Sequence, residues 1–457
     1  MKTAVLLAAG EGRRVWPFAE ARPKAMLPAA NRPLLGHQVD SLLTLGFEHI
    51  VIAAGPMHQQ ITNFFRDVSE VDVRCVGSTE GSAFSLAAAV EEVTEWPLLV
   101  LPGDCLLSYD DIAQLAGLMV DSFAGIGVLA VPLGQDSSRD WIGCRVEDGR
   151  VTKIAGHPRG GVTHRLAGFV LGRAAWPYVT GNSGVFSSVE VGMMPPLEGY
   201  VEMALADWLR AGEVITSVEA LQPVVDVDKP WHIMEANALA NQWLCDGLGD
   251  HQLENGAFID DSASIEGCVR LGAGSRIGRN VVIQGNVWVG DHTIIDNGAI
   301  VHGPTVIGNH CRIENYCYIG GPSTIGDQCV VNHCAELEGV IFDTVYLYHY
   351  MEFFGVLGRC TDLGAATVCG TLRFDDGSAS WVVNGRRETP RNYANASYIA
   401  DYCRTGVNAV LMPGCRVGIY SVVGPGVVLR DDVPNRTMVQ VEQTLTHKPW
   451  GPERYGW

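Results

Sequence analysis

The chain has 457 residues, 47% hydrophobic and only 18% charged, with a formal net charge of −19 at pH 7. That length predicts two or three domains with substantial cores, and the absence of charge runs and low-complexity tracts excludes long disordered segments. No apolar run is long enough to span a bilayer, and no Lys/Arg-rich block offers nucleic acid the clustered charge it requires, although a few local cations suffice for one anionic ligand.

The opening "MKTAVLLAAG" imitates a secretory signal only faintly, because the apolar run ends at Gly10 and Glu11, Arg13 and Arg14 follow. Thirteen cysteines without CxxC or zinc-type spacing read as reduced thiols of a cytoplasmic protein.

Up to about residue 229, β-type runs alternate with helical spacing. "TAVLLAA" from Thr3, "HIVIAAG" from His49 and "PLLVLPGD" from Pro97 are short, apolar and ended by Gly or Pro, so each predicts a buried strand. Residues 33–46 and 82–93 have helical spacing. The alternation predicts an α/β domain with a mostly parallel, Rossmann-like sheet over 1–229, its ligands beyond the C-terminal strand ends. The first such end is "LAAGEGRRVWPFAEARPKAMLP", starting at Leu7. It has neither the third glycine of G-x-G-x-x-G nor a G-K-[ST] step. What remains is a loop whose amides can face an anion, with Gly10 and Gly12 allowing close approach and Arg14 and Lys24 supplying charge for phosphate oxygens.

A helical segment is expected over 230–250. From about Ala257 the period becomes six: Ile259, Ile265, Leu271, Ile277, Ile283 and so on to Leu337 recur without a slip, each preceded two positions earlier by a small or β-branched residue. This is the signature of a hexapeptide β-helix over 251–435, with cysteines filling narrow inward positions as compact hydrophobes. The hexads are read as pausing after Ile341 and resuming at Ile399. Between them, residues 371–387 show two β-like runs with Asp-Asp-Gly and Asn-Gly turn signals, read as an inserted hairpin; 436–457 is a C-terminal tail.

The opening string resembles the signature of sugar-1-phosphate nucleotidylyltransferases, L-A-A-G-x-G-x-R followed by P-K-x-M/L-L-P. "NRPLL" from Asn31, "PGD" ending at Asp104 and "VDVDKPWHIMEAN" from Val225 extend the likeness, and a left-handed β-helix behind such a domain is similar to bifunctional UDP-N-acetylglucosamine synthases. "LGAATVCGTLRFDD" and "YCRTGVNAVLMPGCRVG" look most like their archaeal branch. The resemblance implies in-line attack of a sugar phosphate on the α-phosphorus of an NTP, UTP or dTTP above all, so that catalysis means aligning and screening two polyanions. It assigns Leu7, Ala8, Ala9, Gly10, Gly12, Gly81 and Ser82 to the nucleotide, Arg14 to the β,γ-phosphates, and Lys24 to the pentavalent α-phosphate. Asp104 and Asp226 would hold Mg²⁺, and Gly143 and Gly168 would lie near the sugar. The implied product is UDP-N-acetylglucosamine or another UDP- or dTDP-hexose, made by a homo-oligomer, a trimer or dimer of trimers.

Several positions depart from that pattern. Val76 or a neighbour occupies the place of a base-reading Gln, Gly156-His157-Pro158 stands for Glu-Lys-Pro, and Ala167-Gly168 for an Asn/Thr-Gly step. Arg159 or Arg165 is either a replacement for the lost cation or a surface arginine. In the second half, "YHYMEFFG" from Tyr348 leaves His349 as the one candidate base for acetyl transfer from acetyl-CoA, against an ordinary aromatic packing cluster. Two rivals therefore stand beside nucleotidyl transfer alone: a bifunctional enzyme that also acetylates glucosamine-1-phosphate, and a non-catalytic sugar-nucleotide-binding regulatory or scaffold subunit.

Overall fold

Short apolar runs that end in glycine or proline become strands, and the apolar stripes between them become helices that cover both sheet faces. The computed structural model describes residues 2–77, 81–91, 93, 95–119, 125–134, 136, 138–157, 160–182, 199–383 and 385–454. In chain order the first half runs β1 (Thr3–Ala8), α1 (Leu34–Thr44), β2 (His49–Ala54), α2 (His58–Phe65), β3 (Val71–Cys75), α3 (Ser82–Val90), β4 (Leu98–Pro102), β5 (Cys105–Leu106), α4 (Tyr109–Ala116) and β6 (Ile126–Pro132). There follow β7 (Ile142–Glu147), β8 (Arg150–Gly156), β9 (His164–Leu171), α5 (Trp176–Thr180), α6 (Val201–Arg210), β10 (Ile215–Glu219), β11 (Val225–Asp226) and α7 (Pro230–Asp246). The nine-stranded sheet has the order β3-β2-β1-β4-β9-β6-β10-β8-β7. Strands β1 to β4 are parallel, whereas β9 runs antiparallel to β4 and β6.

Alternate residues of each central strand feed opposite layers. Val5, Val51 and Val100 pack with Leu86, Leu205 and Trp208 on one side. Leu6, Ile50 and Leu99 pack with Leu35, Val39, Ile61 and Ile112 on the other. Helix α7 starts at Pro230, where the missing N–H costs nothing, and its two buried asparagines face opposite partners. Asn237 accepts from Ala30 N–H at 2.9 Å and donates to Pro28 O at 2.8 Å, while Asn241 donates to Ser323 O of the second half at 2.8 Å.

The second half is a left-handed β-helix in which strands stack in register, Ile277 against Ile295, Ile295 against Ile313, and Ile313 against Val331. Its inward cysteines do more than fill space. At one corner Ser275, Thr293, Cys311, Cys329, Thr361, Cys403 and Ser421 each donate a hydroxyl or thiol hydrogen to a backbone carbonyl, at 2.6, 2.7, 3.0, 3.1, 3.0, 3.1 and 2.9 Å respectively. Cysteine there serves as a small hydrogen-bond donor interchangeable with Ser and Thr, which corrects the purely apolar expectation. None of the thirteen cysteines forms a disulfide among the described residues.

The expected pause after Ile341 is also corrected: the coil continues but shortens. Leu347 pairs with Val331 and Leu363 with Leu347, two residues fewer than three hexads. The shortened turns merge two faces into the six-residue strands Glu336–Ile341 and Glu352–Leu357. Gly339 bends the first at φ +132°, and a Cβ there would lie 2.2 Å from Gly355 O, so the adjacent coil leaves no room for a side chain. The insertion leaves the helix after Cys369 and returns at Ser397. Among its described residues, only Trp381–Val383 and Arg386–Glu388 form a hairpin. The first expected run carries no strand, because Leu372 and Phe374 are exposed with nothing to pair against. No helix among the described residues is long and apolar enough to cross a membrane.

Candidate active site

Beyond β1 the chain forms a loop that returns at Lys24. Gly12 takes φ +70°, and a Cβ there would meet Ala19 Cβ at 2.8 Å and Lys24 Cβ at 3.2 Å, so the loop closes on itself only with glycine. Gly10 faces open space. Leu7 O accepts from Gly103 N–H at 2.8 Å, which sets this loop beside the end of β4, with Ala8 and Ala9 at its mouth.

Asp104 and Asp226 are distant in sequence and adjacent in space because β5 and β11 pair, setting Asp226 opposite Cys105. Lys24 Nζ lies 2.6 Å from Asp104 and 3.6 Å from Asp226, and it also contacts Asp228. Arg14 Nη2 lies 2.6 Å from the other oxygen of Asp228. Sequence alone assigns Asp228 no role. Its signal was the alternation in "VDVDK": two aspartates two apart in an extended segment present both carboxylates to one face. Its backbone N–H is shared by Asp226 O at 2.9 Å and His232 Nδ1 at 3.1 Å. Burial pushes His232 down to about 3, so the imidazole accepts as a neutral ring.

Three carboxylates thus converge on two cations. Burial and the neighbouring Asp228 charge push Asp226 up to about 7, while Asp228, despite its burial, is held below the usual carboxylate range by Lys24 and Arg14. Asp226 Oδ1 is buried without a hydrogen-bond partner. Ligand atoms of Asp104, Cys105 and Asp226 all lie within 4.8 Å of one another. Burial and the two aspartates push the Cys105 thiol well up, leaving it protonated. The hard donors are therefore the carboxylates, and a buried carboxylate oxygen that accepts no hydrogen bond, beside a second aspartate, fits a hard divalent ion such as Mg²⁺.

Arg165, on β9, lies beside this cluster. Its Nη2 donates to Val224 O at 2.6 Å and its guanidinium sits 4.3 Å over the Trp141 ring. The side chain is buried, its charge is felt at Asp226 and Cys105, and among the described residues no carboxylate pairs with it. Arg159 and Pro158 lie outside the described residues.

Other sequence candidates are placed elsewhere. Gly81 caps α3, where a Cβ would lie 2.3 Å from Gly199 O, and the Ser82 hydroxyl accepts from Val201 N–H at 3.0 Å. Segment 199–201 therefore lies against that turn. A Cβ on Gly143 would strike Val162 at 2.7 Å, and one on Gly168 would strike Leu101 and Leu115 in the core, so packing accounts for both glycines. His349 stands on a β-helix corner at φ +63°, its Nδ1 2.9 Å from His333 Nδ1 and its ring beside Tyr348 and Tyr350.

Residues 4–151 match the MobA-like NTP transferase domain, and residues 304–339 match six bacterial transferase hexapeptide repeats. The chain thus carries a nucleotidyltransferase domain, which holds the carboxylate site, followed by a hexapeptide-repeat domain, which is the β-helix. Over nearly its whole length the chain is similar to the bifunctional protein GlmU of Methanococcus maripaludis, 27% identical over 97% of this chain and 98% of the relative. It is likewise similar to the bifunctional sugar-1-phosphate nucleotidylyltransferase/acetyltransferase of Sulfurisphaera tokodaii, 25% identical over 94% of this chain and 98% of that one. A UDP-glucose pyrophosphorylase solved with UDP-glucose superposes on 53% of the chain and 98% of its own, with a TM-score of 0.44 and 16% identity.

Proposed function

We propose that the first half joins an NTP, UTP or dTTP foremost, to a hexose-1-phosphate and releases pyrophosphate. The observation that carries the reading is the convergence of Asp104, Asp226 and Asp228 on Lys24 at the mouth of the glycine-containing loop. A phosphate oxygen of the sugar phosphate forms the new bond to the α-phosphorus; the bond from that phosphorus to the bridging oxygen breaks, and pyrophosphate leaves with the electron pair. No covalent bond to the protein is required, so its work is alignment and charge neutralisation.

When bound by Asp104 and Asp226, Mg²⁺ supplies neutralisation of the reacting phosphates. Arg14 is half-exposed and held by a single carboxylate, so it is the loop cation free to turn to the β,γ-phosphates. Lys24 is buried among three carboxylates and acts from that fixed place on the α-phosphate. Arg165, a buried guanidinium without a carboxylate partner, takes the sugar phosphate, because a buried charge requires a counter-charge. The name of the Sulfurisphaera relative, a sugar-1-phosphate nucleotidylyltransferase/acetyltransferase, favours a sugar-1-phosphate as the second substrate.

Pyrophosphate release with Mg²⁺, crossing UTP, dTTP, GTP and CTP against N-acetylglucosamine-, glucosamine-, glucose- and mannose-1-phosphates, tests the reading and names the substrates. Silence across the grid, with nucleotide binding still measurable by calorimetry, would instead favour a regulatory or scaffold subunit. A second activity, acetyl transfer at the β-helix, is favoured by the paired imidazoles of His333 and His349. Absence of acetyl transfer from acetyl-CoA to glucosamine-1-phosphate, or its survival in His349→Ala, would end that reading. The exposed Tyr316 and Tyr350 on the β-helix support assembly into a homo-oligomer, which light scattering measures.

A further inference from the structure

The loop carrying Arg14 and Lys24 has two faces. One turns its cations to the three carboxylates, and the other is fastened to the β-helix. Two residues after Arg14, the Trp16 indole N–H donates to Asn435 Oδ1 at 3.0 Å, and the Arg416 guanidinium lies 5.1 Å over the same ring. Two residues before Lys24, Arg22 pairs with Asp401 of the β-helix, with both side chains buried, and lies 4.8 Å over the Phe342 ring. Phe18, midway between, packs on Phe342 with ring centroids 5.9 Å apart. Just beyond the loop, Asn31 donates to Ile325 O at 2.7 Å. On the β-helix side the anchors are themselves tied down: Asp401 also accepts from Arg359 N–H at 2.8 Å, and Asn435 from Ile419 N–H at 3.2 Å.

We propose that the β-helix is a positioning part of the nucleotidyl-transfer site, with Asp401 and Asn435 as positioning residues that hold the loop through Arg22 and Trp16. The inference rests on the nucleotidyl-transfer reading and adds to it a physical link between the halves. A buried ion pair is a poor source of net stability but a strict geometric constraint, because neither charge tolerates losing its partner. Here the constraint acts two residues from Lys24. Nucleotidyl transfer depends on placing phosphates to within a fraction of an ångström, so loosening the anchor reduces turnover without removing any group that touches substrate. The same link makes the transferase site responsive to whatever binds or assembles the β-helix.

The test uses the full chain. Asp401→Asn keeps the shape of the side chain, and Trp16→Phe keeps the ring while deleting its N–H donor. The expected result is a fall in kcat of roughly 10- to 100-fold in Asp401→Asn, with KM for the sugar phosphate within about twofold. The double variant Arg22→Met/Asp401→Asn should be no worse than the worse single one, because both break the same contact. Hydrogen–deuterium exchange should show faster exchange over residues 13–27 while the hexad strands stay protected. A folded Asp401→Asn protein with wild-type kcat and unchanged loop exchange overturns the proposal. So does a loss of activity that only follows a lowered melting temperature, with loop and hexad strands exchanging alike. An inactive wild type would overturn the nucleotidyl-transfer reading itself, whereas an active wild type with an unaffected variant overturns the anchor alone.

Discussion

Under the proposed assignment of Arg165 to the sugar phosphate, its removal separates the two substrates. Replacing it with Met deletes the one buried guanidinium among the described residues near Asp226 that lacks a carboxylate partner, so KM for the sugar phosphate should rise about 10- to 100-fold, the cost of one charge-assisted contact. KM for the NTP should be unchanged, and Arg165→Lys should fall between; equal changes in both KM values would contradict the assignment. Asp226 sets a pH dependence. Its folded pKa of about 7 lies above the usual 3.8, so the fold favours the protonated form. That contribution to stability is fully present below about pH 4 and is lost as pH rises through about 7. Under the proposed metal assignment, Mg²⁺ would compete with the same proton and relieve the repulsion among the ionised carboxylates. Thermal melts should therefore show a larger Mg²⁺-induced rise in Tm at pH 8 than at pH 6, and the reverse order would contradict the metal assignment. Of this candidate cluster, Arg14, Lys24 and the loop glycines were visible as one contiguous string, and Asp104 and Asp226 only through the resemblance of their segments. Asp228 was not, because its role appears only once β5 and β11 pair and both aspartates meet Lys24.

At the scale of elements, the β-helix was the most legible part of the chain, since a strict period needs no knowledge of tertiary contacts. It was lost at Ile341 for a physical reason: glycines 339 and 355 replace a corner, the coil contracts by two residues, and a six-residue template slips while the stacking continues. Gly339→Ala should therefore be severely destabilising, by more than about 2 kcal/mol, because both its positive φ and the neighbouring carbonyl forbid a Cβ. The corner ladder makes a gentler prediction. Cys311→Ser should leave Tm nearly unchanged, while Cys311→Val should cost about 1 kcal/mol by orphaning the Gly326 carbonyl, as read by denaturant titration. Equal costs would show that cysteine serves there only as a hydrophobe.

For the whole molecule, the decisive relations are long-range. Arg22 and Asp401 are 379 residues apart, and Trp16 and Asn435 are 419 apart, so no local pattern announces that the loop carrying Arg14 and Lys24 leans on the solenoid. The inserted hairpin adds to the same joint: Trp381 stacks on Trp231 of α7 with centroids 5.0 Å apart, Glu388 pairs with Lys229 at 2.5 Å, and Arg386 pairs with Asp140 at 2.7 Å. The chain thus places its charge cluster where the α/β sheet, α7 and the β-helix meet. Whether the cluster is the proposed divalent-ion-dependent nucleotidyl-transfer site is decided by single-turnover pyrophosphate release on the preferred substrate pair, comparing wild type with Asp104→Asn and Asp226→Asn. Wild type should release pyrophosphate only with Mg²⁺, and each variant should lose about 100-fold or more, the scale expected when a charge-stabilising group is removed. Release that persists in both variants, or that ignores chelation of Mg²⁺, would contradict that assignment.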